Sequence, residues 1–338
     1  MKFVIVGAGA IGLTLGFLLQ RNGKNEVTFY ARARRASDLK SNVQKLYSYD
    51  EKKLYEFSPD DYGVTSEVSD ISIKEADCII ITLPSSALYK DDGKELLKCL
   101  SSSGSAGTIF VNLCPGFGLK ESVFTPSGIG EDKLVFALPI FLCHNVPMND
   151  QPGRDLHPRR DEAQYAYHML FFSRAPLLFF KTTYFFHNQS MSRLSKALKK
   201  AKLFGVSFSY SLLEPLTAAT LMLWLILQAQ GYSKNLDTKD ESFKLALKAM
   251  KQVNRMHGTT GKILTFTMGG LAYKLMNASN VRFSQPIDPV AFNKFHHGSK
   301  VIEQNIGLFQ KYIEHGKSKN LPTDSIEAFI NLYRKRVS

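Results

Sequence analysis

Cysteine is scarce and unpatterned. The 338 residues hold four (Cys78, Cys99, Cys114, Cys143), with no C-x-x-C pair and no Cys/His ligand spacing. That argues against a zinc module and a disulfide framework, and no metal site is expected. Reduced, buried thiols of a cytoplasmic protein are the default. Acidic surplus is missing too: 43 Lys plus Arg face 30 Asp plus Glu, a net charge of +13. One apolar run has to be weighed against a membrane span. The apolar stretch Leu216–Ala229 is bounded by Glu214, Pro215 and Gln228 and falls short of the about 20 residues required. It reads as a helix buried in a core or at a subunit contact, which allows a homodimer. No charged segment precedes a cleavable apolar one at the N-terminus, so no signal peptide is expected. Solenoid repeats and low-complexity tracts are also absent.

The charge is uneven. Residues 181–262 carry thirteen Lys or Arg against four acids. Lys199, Lys200 and Lys202, with Lys244, Lys248 and Lys251, allow a rival reading as a nucleic-acid or anionic-membrane face. No nucleic-acid motif and no interleaved stacking aromatics accompany them, so a solvated basic face that steers an anionic cofactor is preferred.

A hydrophobic fraction of 44% is enough for a sizeable core, and the length fits two domains. Phe3–Val6, Glu26–Tyr30, Cys78–Leu83, Thr108–Asn112 and Leu134–Leu138 read as short apolar strands separated by helices or polar connectors. That is the pattern of a parallel sheet covered by helices. Residues 144–164 read as an irregular polar loop. Leu177–Phe186 and Val206–Tyr210 read as strands, and Ser192–Leu203 as a basic helix. Beyond residue 211 only helical patterns remain, over about 212–230, 241–257, 261–276, 289–315 and 324–336. The expected architecture is therefore α/β, an N-terminal Rossmann-type doubly wound parallel sheet over 1–210 and an all-helical domain over 211–338.

Gly7-Ala8-Gly9-Ala10-Ile11-Gly12 is a G-x-G-x-x-G string that follows a strand and opens a helix within a β-α-β unit. Gly7 permits the tight turn, Gly9 leaves room for a pyrophosphate, and Gly12 lets helix and strand pack closely. The helix start, with Ala10 and Ile11, offers amide N–H groups and a positive dipole end to phosphate. NAD enzymes usually end the second strand with an acid that holds the ribose hydroxyls. Here the run is Tyr30-Ala31-Arg32-Ala33-Arg34-Arg35. A guanidinium at Arg32 suits a 2′-phosphate, so NADP(H) is expected over NAD(H).

With these features the chain resembles the ketopantoate reductase (2-dehydropantoate 2-reductase) family, as a divergent member. The resemblance rests on the glycine string, Arg32, the run Cys114-Pro115-Gly116-Phe117-Gly118, and the landmarks Asn305-Ile306-Gly307, His315-Gly316 and Leu321-Pro322-Thr323. It implies NADPH-dependent reduction of a small anionic 2-keto acid to the 2-hydroxy acid. It also implies nucleotide contacts from Leu83, Pro84, Asn112, Pro115 and Gly116. That family's catalytic Lys has no counterpart on the helix Leu212–Gln230, whose only ionisable residue is Glu214. Its Lys after the fourth strand is replaced within Thr82-Leu83-Pro84-Ser85, and Pro115 stands where its Asn-Gly-x-Gly has Asn. Glu303 is a loose counterpart of its substrate-binding Glu. Glu303, Asn305 and His297 are the catalytic candidates, His being the commonest general acid near neutral pH. Two other readings stay open: a non-catalytic NADP(H)-binding sensor or interaction protein, and an opine-dehydrogenase-like enzyme suggested by Val111–Gly116.

Overall fold

The computed structural model describes residues 1–146, 158–169, 176–181, 189–297 and 302–337. Among these, residues up to Tyr210 cluster into one compact unit and those from Ser211 onward into another. The first unit runs β1 (Lys2–Val6), α1 (Ala10–Gly23), β2 (Glu26–Tyr30), α2 (Ala33–Ser41), β3 (Gln44–Ser48), β4 (Lys53–Phe57) and β5 (Gly63–Thr65). It continues with α3 (Ile71–Lys74), β6 (Cys78–Ile81), α4 (Ser85–Leu88), α5 (Asp91–Ser103), β7 (Ile109–Asn112) and β8 (Leu134–Pro139). Then follow β9 (Phe141–Asn145), β10 (Tyr165–Met169), β11 (Pro176–Lys181), α6 (Gln189–Lys200) and β12 (Phe204–Ser209).

The main sheet has the order β12-β11-β8-β7-β6-β1-β2-β5. From β5 to β8 every pairing is parallel. Numbered along the chain, those strands stand in the order 3-2-1-4-5-6, the doubly wound dinucleotide-binding arrangement. β6 and β7 are buried at every position, as interior parallel strands covered on both faces must be. The expected fold class therefore holds, with one difference. β11 joins β8 antiparallel and carries β12 beside it, so this edge of the sheet is mixed.

A second, four-stranded sheet, β4-β3-β10-β9, was not read from the sequence. The chain leaves β8 and enters β9 across Ile140, changing sheets in one step. The polar loop expected over 144–164 is thus corrected at both ends. His144 and Asn145 finish β9, and Pro158–Glu162 form a 3₁₀ turn; 147–157 lie outside the described residues. Residues 182–186 of the strand expected over Leu177–Phe186 also lie outside them.

Helix α1 is held between the two sheets. On one side Gly16 brings its backbone against β2, where a Cβ would stand 2.5 Å from the Phe29 ring. On the other, Phe17 meets Tyr55, Phe57 and Tyr167 at centroid separations of 5.3, 5.5 and 6.4 Å. Aromatic and β-branched residues suit such half-buried pleated surfaces, which is why the tyrosine-rich β3, β4 and β10 form strands despite their polar neighbours.

The second unit is helical. Its first helices are α7 (Leu213–Ala229), α8 (Glu241–Arg255), α9 (Gly258–Thr267) and α10 (Gly270–Phe283). Pro289–Phe292, a π-helical turn at Asn293–His297, and the helices Ile302–Ser318 and Asp324–Val337 follow. Two expected helices are broken. The one over 261–276 divides at Gly269-Gly270, where glycine lowers helix propensity and Gly269 caps α10. The one over 289–315 divides beyond Phe292. Tyr210–Ala229 is long and apolar enough to cross a membrane, but 72% of its apolar window is buried within the protein. Its polar end is satisfied: Tyr333 donates to Gln228 Oε1 at 2.6 Å, and Gln228 Nε2 donates to Asn293 Oδ1 at 2.8 Å. Such a helix behaves as core.

One buried histidine, His144, and one half-buried, His257, make the fold acid-sensitive. His144 Nδ1 lies 2.6 Å from the Asn145 carbonyl, which can only accept, so Nδ1 carries the proton and Nε2 faces the Tyr49 hydroxyl at 3.1 Å. Burial lowers His144 from 6.5 to about 4, and burial, with His315 nearby, lowers His257 equally. As pH falls below the unfolded value near 6.5, the unfolded chain takes up protons that the folded chain refuses. Stability is therefore lost between about pH 6.5 and 4, by roughly 2–3 kcal/mol per histidine. Thermal midpoints should fall across this window, and His144→Phe should flatten the slope. A midpoint indifferent to pH between 6.5 and 4.5 would contradict the assignment.

Candidate nucleotide-binding site

Strand register brings the glycine string to the switch point of the sheet. Val6 is level with Tyr30 of β2 on one side and Ile81 of β6 on the other, and Ile81 with Asn112 of β7. The loops leaving these carboxyl ends form a row, and the crevice beside β1, where the strand order reverses, is where doubly wound sheets bind ligands.

Gly7 turns the chain at φ +109°, a conformation L-residues rarely adopt. Its N–H donates to Tyr30 O at 3.0 Å. The Thr82 hydroxyl, just past the end of β6, donates to the carbonyls of Gly7 at 2.9 Å and Val6 at 3.1 Å, which fixes the turn. The three glycines then separate by role. A Cβ on Gly7 would stand 2.7 Å from Thr82 Oγ1, and one on Gly12 2.0 Å from the Gly7 carbonyl. Both are packing positions. A Cβ on Gly9 would meet nothing within 4 Å. Gly9 alone opens onto free space, at the N-terminus of the 14-residue α1. The first helical bond, Leu13 N to Gly9 O at 2.9 Å, leaves the amides of Ala10, Ile11 and Gly12 ahead of the ladder, and no acid occupies the first turn. A helix terminus of this kind offers free amides and a positive dipole end, and the space at Gly9 leaves room for a backbone-hugging phosphate, so the residues fit a dinucleotide.

Arg32 follows β2 as the N-cap of α2, with its side chain exposed. Among the described residues no acid forms an ion pair with Arg32 or with exposed Arg34. Arg35 has a different task. Its Nε donates to Ala8 O at 3.3 Å, its Nη2 to Gln44 Oε1 and the Tyr165 hydroxyl at 3.0 Å each, and its Nη1 pairs with Asp38. Arg35 therefore ties the glycine loop to the second sheet. With Arg35 paired to Asp38, the exposed guanidinium groups of Arg32 and Arg34 stand at the positive end of a helix with no acid in its first turn, where the dipole repels them. An anion placed there would relieve that repulsion.

The remaining nucleotide candidates line the neighbouring loops. Leu83 Cδ2 packs 3.2 Å from where a Gly7 Cβ would be, and exposed Pro84 caps α4. Asn112 is buried, with its amide committed to a local turn: Nδ2 donates to Cys114 O at 2.8 Å and Oδ1 accepts from Cys114 N at 3.3 Å. It shapes the loop that carries Pro115 and Gly116. A Cβ on Gly116 would meet Leu119 Cδ1 at 2.5 Å, so that glycine serves close packing, beside the Tyr89 hydroxyl that bonds Phe117 O at 2.6 Å. Burial pushes the Cys114 thiol up to about 12, so it is no nucleophile near neutral pH.

The catalytic candidates lie in the second unit. Glu303 is exposed in the first turn of Ile302–Ser318, while Asn305 is buried two residues on. Residues two apart do not share a helix face. The side chain of His297 lies outside the described residues. A group that sequence reasoning missed is Glu214, His257 and Tyr312. His257 Nδ1 is 3.9 Å from Glu214 Oε2, and its Nε2 is 3.0 Å from the Tyr312 hydroxyl. Its one sequence signal was Glu214, the one ionisable residue on α7.

Residues 3–98 match the family model described as ketopantoate reductase PanE/ApbA. That match takes in the glycine string, Arg32, Leu83 and Pro84. No curated protein matches the chain. Among solved structures, 2-dehydropantoate 2-reductase from Geobacter metallireducens is similar at 14% identity and a TM-score of 0.67, over 99% of both chains. D-mandelate dehydrogenase with NADH and anilino(oxo)acetate is similar at 12% and 0.67, over 100% of this chain and 98% of that one. The 2-dehydropantoate 2-reductase from Methylococcus capsulatus is similar at 13% and 0.63, with the same coverage. At such identities the ketopantoate-reductase-type fold is what these likenesses establish.

The glycines should separate experimentally. Gly12→Ala should lower the thermal midpoint, costing roughly 1–3 kcal/mol or more, because backbone must shift. Gly9→Ala should melt like the parent yet lose about tenfold or more in dinucleotide affinity, roughly 1.4 kcal/mol. Calorimetry and thermal melts read both. Equal melting losses for the two, or unchanged affinity in Gly9→Ala, would contradict the division of roles.

Proposed function

We propose that the chain is an NADP(H)-dependent reductase of a 2-keto acid, of the ketopantoate type. The observation that carries this reading is the open approach at Gly9, in front of the α1 amides, combined with a guanidinium where NAD enzymes have an acid. The D-mandelate dehydrogenase structure that resembles this chain contains NADH, which supports a pyridine nucleotide as cofactor. Arg32 and the α2 start, with Arg34 nearby, favour the phosphorylated form.

In this reading Gly9, Ala10, Ile11 and Gly12 hold the pyrophosphate through backbone N–H groups, and Arg32 holds the 2′-phosphate. Arg35 holds neither, since it braces the loop. Leu83, Pro84, Pro115 and Gly116 bound the crevice, and Asn112 holds the last two in position. When bound, the nicotinamide would supply the hydride. Glu303, exposed and titratable, is our candidate for holding the substrate hydroxyl, with Asn305 supporting its helix from the buried side. A Lys proton donor on α7 is lacking, and Glu214 beside His257 is the ionisable group that helix offers. That departure favours a second reading, a protein that binds NADP(H) without turnover.

Arg32→Asp should weaken NADPH binding by roughly 1.5–3 kcal/mol while changing NADH binding little. Equal losses for both would remove the 2′-phosphate contact. Purified protein should oxidise NADPH when given ketopantoate or a related 2-keto acid, and Glu303→Gln should raise KM in that assay. Tight NADPH binding with no turnover across a keto-acid panel would leave the second reading standing.

A further inference from the structure

Of the eight large apolar side chains exposed among the described residues, five belong to the consecutive helices α9 and α10: Ile263, Phe266, Leu271, Leu275 and Phe283. Phe266 is 92% exposed, Leu271 72%, Ile263 60% and Leu275 59%. Single exposed apolar residues are ordinary, whereas a group of them marks a contact surface. The same helices carry the exposed cations Lys262, Lys274 and Arg282, and from Met256 to Ile287 the sequence has no Asp or Glu.

The cations share the apolar faces. Lys262 and Phe266 are four apart on α9 and share an exposed face that is turned away from Gly261. There a Cβ would stand 1.6 Å from the Asn254 carbonyl, so α9 is pressed against α8 on its other side. On α10, Leu271, Leu275 and Arg282 follow helical spacing along one face with Lys274 beside them, and Tyr273 and Asn277 are buried on the opposite face. Helices that lie in a bilayer interface combine outward aromatic and aliphatic groups with Lys and Arg in this way.

We propose that α9 and α10 dock on an anionic lipid surface, their apolar side chains entering the interfacial layer and Lys262, Lys274 and Arg282 meeting lipid phosphates. A second copy of the chain would bring the same cations together with no acid in the segment to pair them. A protein partner would need a groove shaped to receive Phe266, whereas a lipid interface accepts a protruding ring without a matching shape. The inference stands apart from nucleotide binding and would survive its failure.

Vesicle sedimentation tests it, using phosphatidylcholine alone and phosphatidylcholine containing phosphatidylserine. The parent protein should pellet with the anionic vesicles, be released by salt, and ignore the neutral ones. Each of Lys262→Gln, Lys274→Gln and Arg282→Gln should cost roughly fivefold in partitioning, about 1 kcal/mol. Phe266→Ser with Leu271→Ser should abolish pelleting without changing circular dichroism or the thermal midpoint. If that pair fails to fold, Leu275→Ser alone should weaken pelleting. No binding to anionic vesicles overturns the proposal. So does sedimentation equilibrium showing a dimer that Phe266→Ser dissociates while vesicles bind neither form.

Discussion

The first unit depends on one close approach, the amino end of α1 against the crook of β1. Only a hydrogen at Gly12 lets the helix come down on the Gly7 carbonyl, and only a positive φ at Gly7 turns that carbonyl toward it. The Thr82 hydroxyl, just beyond the end of the neighbouring strand, donates to the same carbonyl. The dipole end of α1 and its leading amides are thereby fixed at the crevice where the strand order reverses. Preorganisation of this kind means that the amides need no rearrangement when they meet an anion.

The second sheet reinforces that arrangement from behind. Phe17 engages β4 and β10 through Tyr55, Phe57 and Tyr167, so α1 is gripped along its length as well as at its tip. Arg35 adds a polar tie from Ala8 to Gln44 and Tyr165. Of the three arginines after β2, one is thus spent on structure and two stay exposed at a helix start that already repels cations. That imbalance is the electrostatic ground on which the proposed choice of the cofactor with the extra phosphate rests.

Much of this was legible in the sequence because it is local. The β1–α1–β2 unit announces itself through an apolar run, a glycine string and a helical period, and Arg32 is a fixed distance downstream. The division between packing glycines and the open one at Gly9 needs coordinates. So does the commitment of Asn112 to its own turn, since an Asn after a strand reads equally well as a ligand. The second sheet was missed because β3 pairs with β10, far along the chain, and no local pattern encodes that. The contact of His257 with Glu214 and Tyr312 is likewise a product of tertiary packing.

The central claim is that Arg32 and the α2 start hold a 2′-phosphate while the Gly9 crook holds the pyrophosphate. Phosphorus NMR of NADPH titrated with the protein addresses it most directly. A 2′-phosphate gripped by guanidinium should lose its second proton at a pH about one unit or more below the free value near 6. A bound 2′-phosphate that titrates as it does in free solution would contradict the claim, as would a phosphate spectrum unmoved by the protein.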